Sequence, residues 1–186
     1  MLRRLALIIG AAMMLALTGC STTVALTPAD DANNPACAEV TVRLPQSVAG
    51  QDRRWTDAQA TGAYGTDGKT SVILTCGVAV PGPTADLQCV TLEGIDWLVD
   101  ESDAPRMRMT TYGRSPAVQV FVDTEVVSAN DVLTSSGIVS GVRMIEADSA
   151  CSTPDELPSS PSAGSGPQRE QRPRRLSGAA RLRSAR

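Results

Sequence analysis

Arginine, carboxylate and aromatic residues recur through the middle of the sequence at Arg53, Arg54, Asp57, Asp96, Trp97, Tyr112 and Arg114. Together they could form a binding site. A guanidinium is a planar fork of donors that grips a carboxylate or phosphate at two points, and an aromatic face stacks on a sugar ring. The chemistry expected of the set is capture of an anion or a saccharide. The same residues also have a structural use. Arg53 or Arg54 could pair with Asp57 or Asp96, and Trp97 could be the largest core side chain of a chain with two Trp, two Tyr and one Phe. Covalent catalysis finds no base, because the sequence has no histidine and Lys69, its only lysine, lies in a Gly-rich loop. Glu93, Asp96, Asp100 and Glu101 offer carboxylates for a glycosidase pair. In a segment so rich in acids some pair always exists, and solvated strand ends are the commoner explanation. Asp100-Glu101-Ser102-Asp103 follows the alternation of a calcium loop only faintly. No catalytic residue, metal or cofactor is expected.

The five cysteines, Cys20, Cys37, Cys76, Cys89 and Cys151, divide by context. Met1-Leu2-Arg3-Arg4 is a short positive segment, and Leu5 to Leu17 is an apolar run of 13 residues without charge. That is the layout of a secretory signal, and it falls short of the roughly 20 residues a helix needs to span a bilayer. The run ends Leu17-Thr18-Gly19-Cys20, a pattern that resembles the lipobox of exported lipoproteins. Small side chains precede the bond to be cut, and a thiol forms the thioether to diacylglycerol. Cys20 is therefore expected to carry lipid, with two acyl chains giving a stable anchor. The remaining four cysteines fit two disulfides in an oxidising compartment. The favoured pairing is Cys76 with Cys89, on consecutive strands, and Cys37 with Cys151, which bracket the folded region. There is no CxxC, so a zinc or thioredoxin-like site is not expected.

The elements that must position these residues follow from composition. Residues 1–19 read as the signal and 20–35, small, polar and turn-prone, as a flexible tether. Residues 36–151 read as one domain, and 152–186, rich in Pro, Ser and Arg, as a disordered tail. Charge divides the same way: eight basic against 17 acidic residues lie between Cys20 and Cys151, and seven arginines against three acids lie beyond. Strands are expected at Val72–Val80, at Gln88–Val99 with a bulge or bend at Glu93-Gly94, at Arg106–Tyr112 and at Ala117–Val122. A helix is expected from a cap at Asn130 or Asp131 through Val142, weakened by Gly137 and Gly141, and Cys37–Leu44 fits a helix or a strand. The fold class expected is α+β: an antiparallel four-stranded meander packed by one or two helices.

Several strings occur in a fixed order: Cys37, Leu44-Pro45, Arg53-Arg54 with Thr56-Asp57, Ala63-Tyr64-Gly65, Leu74-Thr75-Cys76-Gly77-Val78, Cys89-Val90, Gly94-Ile95-Asp96-Trp97-Leu98, Thr111-Tyr112-Gly113-Arg114-Ser115-Pro116-Ala117-Val118 and Cys151. In this the sequence resembles the DUF3515 family of actinobacterial lipoproteins, whose function is unknown. The resemblance implies export, lipidation and the four-cysteine framework, and it assigns no activity. The sequence departs from the family's pattern at Tyr64, at Thr66-Asp67-Gly68-Lys69 and at Asp123, so the loop Gly62–Ser71 is set aside as a shared site. The expected function is a membrane-anchored extracytoplasmic module that binds or assembles components of the cell envelope without catalysis. The alternative is a carboxylate-dependent hydrolase of wall glycans. Expected partners are the membrane, through diacylglycerol on Cys20, and a wall polymer or envelope protein. No nucleic acid is expected, because the arginine tail has no interleaved aromatics.

Overall fold

Alternating β-branched residues build the centre of the molecule. A computed structural model describes residues 23–152. The signal segment, Cys20 and nearly all of the tail lie outside the described residues. Among the described residues, eight strands form one antiparallel sheet: β1 (Ser47–Val48), β2 (Gln51–Arg54), β3 (Thr61–Gly65), β4 (Val72–Val78), β5 (Gln88–Leu92), β6 (Ile95–Asp103), β7 (Arg106–Thr111) and β8 (Ala117–Asp123). Their order is β1-β2-β3-β4-β8-β7-β6-β5. Among the described residues there are three helices, α1 (Pro35–Thr41), α2 (Ala129–Leu133) and α3 (Ser136–Val142); α1 packs on β4, α2 on β8, and α3 on the other two helices. The α+β class holds, with twice the expected strands.

Val72, Leu74 and Cys76 of β4, Val118, Val120 and Val122 of β8, Met109 of β7 and Ile95 and Trp97 of β6 are buried at alternate positions and join one core with Val40, Val132 and Ile138 of the helices. Alternation with period 2 puts them on a single face. The opposite face carries Ile73, Arg108, Gln119 and Phe121, all half-buried, with the Arg108 guanidinium 5.7 Å from the centre of the Phe121 ring.

The expected strand Gln88–Val99 is two strands. Glu93 and Gly94 have φ of 51° and 70°, and Leu92 pairs with Ile95, which is the geometry of a two-residue type I′ hairpin. The meander expected from β4 onward is also corrected. Strands β5 to β8 do run in succession, but β4 pairs with β8, so residues 79–87, with Pro81 and Pro83, cross to the far edge. This overturns the expected disulfide pairing. Four strand spacings, roughly 19 Å, separate β4 from β5 along the sheet, far beyond the roughly 7 Å a disulfide bridges. The bonds are Cys37–Cys76, which ties α1 to β4 inside the core, and Cys89–Cys151, which ties β5 to the last described residues.

The helices also differ in detail. Asn34 caps α1 by accepting from the Ala36 N–H, with Pro35 in the first turn. The helix expected from Asn130 or Asp131 to Val142 is two short helices, the first capped by Ser128, the second starting after Ser135. Gly137 is required by a close approach: a Cβ there would lie 2.4 Å from Pro45 Cδ.

The segment expected as a free tether is joined to the domain over its described part. Val24 forms a parallel bridge with Thr56, the Leu26 N–H donates to Asp57 Oδ1 at 2.8 Å, and the Asp31 N–H donates to the Gly77 carbonyl at 3.1 Å. Main-chain bonds need no apolar period, which is why composition alone suggests a coil. No helix among the described residues is long and apolar enough to cross a membrane.

Candidate functional site

The seven residues expected to form one site fall into two groups. Arg53 and Arg54 lie on β2 with Asp57 just beyond it, whereas Asp96 and Trp97 lie on β6 with Tyr112 and Arg114 after β7. In the sheet β2 and β6 are five strand spacings apart, roughly 24 Å. They cannot line one cleft.

The second group is built into the fold. Trp97 is fully buried, and its indole Nε1 has no partner. Asp96 accepts from the Thr91 hydroxyl at 2.5 Å and from the Cys151 N–H at 2.8 Å. Arg114, 7% exposed, donates through Nη1 to the Ile145 carbonyl, while its Nε has no partner. Burial pulls the Arg114 pKa below its usual value, and the Asp96 charge acts against that shift. The Asp148 N–H donates to the Gly113 carbonyl at 2.6 Å, and Arg114 bridges Ala147. These contacts fasten residues 145–151 as a strap that ends at Cys89. Gly113, at φ 69°, is required there, since a Cβ would meet Ser149 O at 1.9 Å.

The first group is nearer to solvent. Arg53 donates to the Leu44 carbonyl at 2.8 Å, and Asp57 receives the Leu26 N–H rather than an arginine. Gln46, Arg53, Arg54 and Trp55 line a cleft of about 170 Å³, and Trp55 is 75% exposed. Trp55 is absent from the sequence-expected set. The signal for it is a tryptophan directly after Arg53-Arg54, in a polar run with no apolar alternation to bury it.

A larger polar cleft of about 550 Å³ opens beside this group, lined by Gln51, Thr66, Asp67, Lys69, Thr70, Ser71, Asp123 and Val126. Most of these come from the loop that the sequence reading sets aside. The loop is folded tightly, because a Cβ on Gly65 would lie 1.8 Å from the Lys69 carbonyl oxygen. Arg54 Nη1 holds it by donating to Gly68 O at 2.8 Å and to the Thr70 hydroxyl at 2.7 Å. Ser71 and Gln51, both buried, bond each other at 2.9 Å. Lys69 and Asp67 are exposed. One ammonium, two carboxylates and several hydroxyls suit a polar, hydroxyl-bearing ligand.

The remaining acids are dispersed. Glu93, in the β5–β6 turn, lies 3.8 Å from Arg143. Asp100 lies with Asp86 and Glu101 on a separate cleft of about 350 Å³, its pKa lowered by hydrogen bonds from Ser102, with Arg108 adding to the effect. Among the described residues no group of three His, Cys, Asp or Glu side chains could hold a metal ion.

A family model described as "Protein of unknown function (DUF3515)" matches residues 4–143. The chain belongs to the DUF3515 family. No curated protein and no solved structure matches it. The DUF3515 match spans every strand and helix of the described residues and stops short of the strap and of Cys151. In this DUF3515 protein, then, the Cys89–Cys151 bond joins the matched region to a segment beyond it.

Proposed function

We propose that this DUF3515 protein is a lipoprotein held on the outer face of a cell membrane, whose domain binds or assembles envelope components without catalysis. The observation that carries this reading is the cysteine arrangement. Cys37, Cys76, Cys89 and Cys151 are joined in two disulfides, which leaves Cys20 as the one remaining thiol, directly after Leu17-Thr18-Gly19. Disulfides belong to an oxidising compartment, which agrees with an export signal.

The polar cleft around Lys69 is the proposed contact for a wall saccharide. Hydrolysis of the same material has less support: none of Glu93, Asp96, Asp100 and Glu101 lines the cleft around Lys69, and Asp96 and Asp100 stand roughly 13 Å apart along β6, beyond the roughly 9.5 Å of an acid and base pair. The test is calorimetric titration of soluble wall glycan fragments into the protein and into Lys69→Ala and Asp67→Asn. Binding weakened about ten-fold in the variants, with an unchanged melting temperature and intact glycan, is the expected outcome for loss of a charged hydrogen bond. No heat at all overturns the saccharide contact, and cleavage of the glycan overturns the non-catalytic reading.

A further inference from the structure

We infer that the surface carrying Trp55, Arg53 and Arg54 lies against the anionic lipid headgroups of the membrane that holds the domain. The inference rests on the proposed lipidation of Cys20. The Val24 N–H donates to the Trp55 carbonyl at 2.8 Å, and the Asp57 N–H donates back to Val24 O at 3.3 Å, so the chain is fixed beside Trp55 as soon as it enters the described fold. Only residues 21–23 separate Val24 from Cys20. Four residue steps reach at most about 14 Å even when fully extended. A diacylated Cys20 at the bilayer surface therefore draws this end of the sheet down to the headgroup layer, which is roughly 5 to 8 Å deep on each side.

The side chains at that end suit the position. Trp55 keeps 75% of its surface exposed while Trp97 is fully buried. An indole is the side chain favoured at a lipid and water boundary, where its ring lies among headgroups and its N–H finds acceptors. Among the described residues the Arg53 guanidinium bonds the neutral Leu44 carbonyl and no carboxylate. Its positive charge is attracted by anionic headgroups. Arg54 of this end donates to the Thr70 hydroxyl, which lines the polar cleft, and that bond places the cleft to meet material lying next to the bilayer.

The two tryptophans make a direct test possible. The lipidated protein is placed in phosphatidylglycerol vesicles whose acyl chains are brominated near the carbonyl, and tryptophan emission is read. Trp97 is the shielded reference, and loss of up to roughly half the emission is expected from a Trp55 held at the interface. The loss should be absent in Trp55→Phe, a replacement at an exposed site. Unchanged emission, with Trp55 still open to acrylamide, overturns the inference. The N-terminal peptide mass is measured on the same sample. Diacylated Cys20 without bromolipid quenching refutes the orientation alone, and unmodified Cys20 refutes the anchoring and the orientation together.

Discussion

Tyr64 of β3 is fully buried with no partner for its hydroxyl. Burial pushes its pKa up to about 12, and the nearby Arg53 charge lowers it only in part. The unfolded chain therefore loses this proton first. The stability from keeping Tyr64 neutral is complete below pH 10 and drains away as pH rises toward about 12, at about 1.4 kcal/mol per unit. Tyr64→Phe should remove that loss and be neutral or slightly stabilising at pH 7, since it deletes an unpaired buried hydroxyl. Urea unfolding of both proteins across the alkaline range reads the difference. Arg114→Met should act oppositely. It leaves the Ile145 carbonyl without its donor, costs about 1 to 3 kcal/mol, and should raise hydrogen exchange at the Asp148 amide while leaving glycan and vesicle binding intact. At this scale the types of functional residue were legible and their grouping was not. Arg53 and Arg114 look alike in sequence, yet one meets solvent beside Trp55 and the other is buried under the strap, a distinction made by contacts from distant segments.

Strands with alternating apolar residues, Val and Leu in β4, Met in β7 and Val in β8, could be read from sequence because period 2 and burial coincide there. Strands β1 to β3 could not, since Gln51-Asp52-Arg53-Arg54 is polar and Thr61–Gly65 is buried at every position and so shows no alternation. Nor does local sequence fix which strand pairs with which. That choice decided the disulfides, because β8 rather than β5 lies beside β4. In the chain-entropy model, closures spanning 39 and 62 residues contribute about 4 kcal/mol each. Cys37 and Cys76 are fully enclosed, whereas Cys89 and Cys151 are half-buried. Mild reductant without denaturant should open Cys89–Cys151 first and free the strap, with Cys37–Cys76 surviving until the domain unfolds. Peptide mapping after stepwise alkylation checks the order. Gly77 joins two elements in another way: it occupies a bulge at φ 91°, and a Cβ there would lie 2.4 Å from the Asp31 carbonyl carbon. Gly77→Ala should therefore destabilise the domain and release the Asp31 turn, which thermal melting and exchange at the Asp31 amide would register.

The whole molecule combines an acidic folded segment, a basic C-terminal sequence and an N-terminal cysteine placed by sequence at the end of an apolar run. The sharp change of composition near Cys151 was legible in the sequence. The docking of Val24 to Asp31 was not, since it depends on backbone bonds to β-strand ends far along the chain. That docking gives the proposed anchor its consequence: lipid on Cys20 would fix not merely the compartment of the domain but the end of the sheet that faces the bilayer. The central claim is the lipid itself. Mass spectrometry of the N-terminal peptide from protein extracted out of its native membrane should show a chain beginning at Cys20 and carrying the mass of a diacylglyceryl group. A chain cleaved elsewhere with an unmodified Cys20, or one with Cys20 joined in a disulfide, would contradict it.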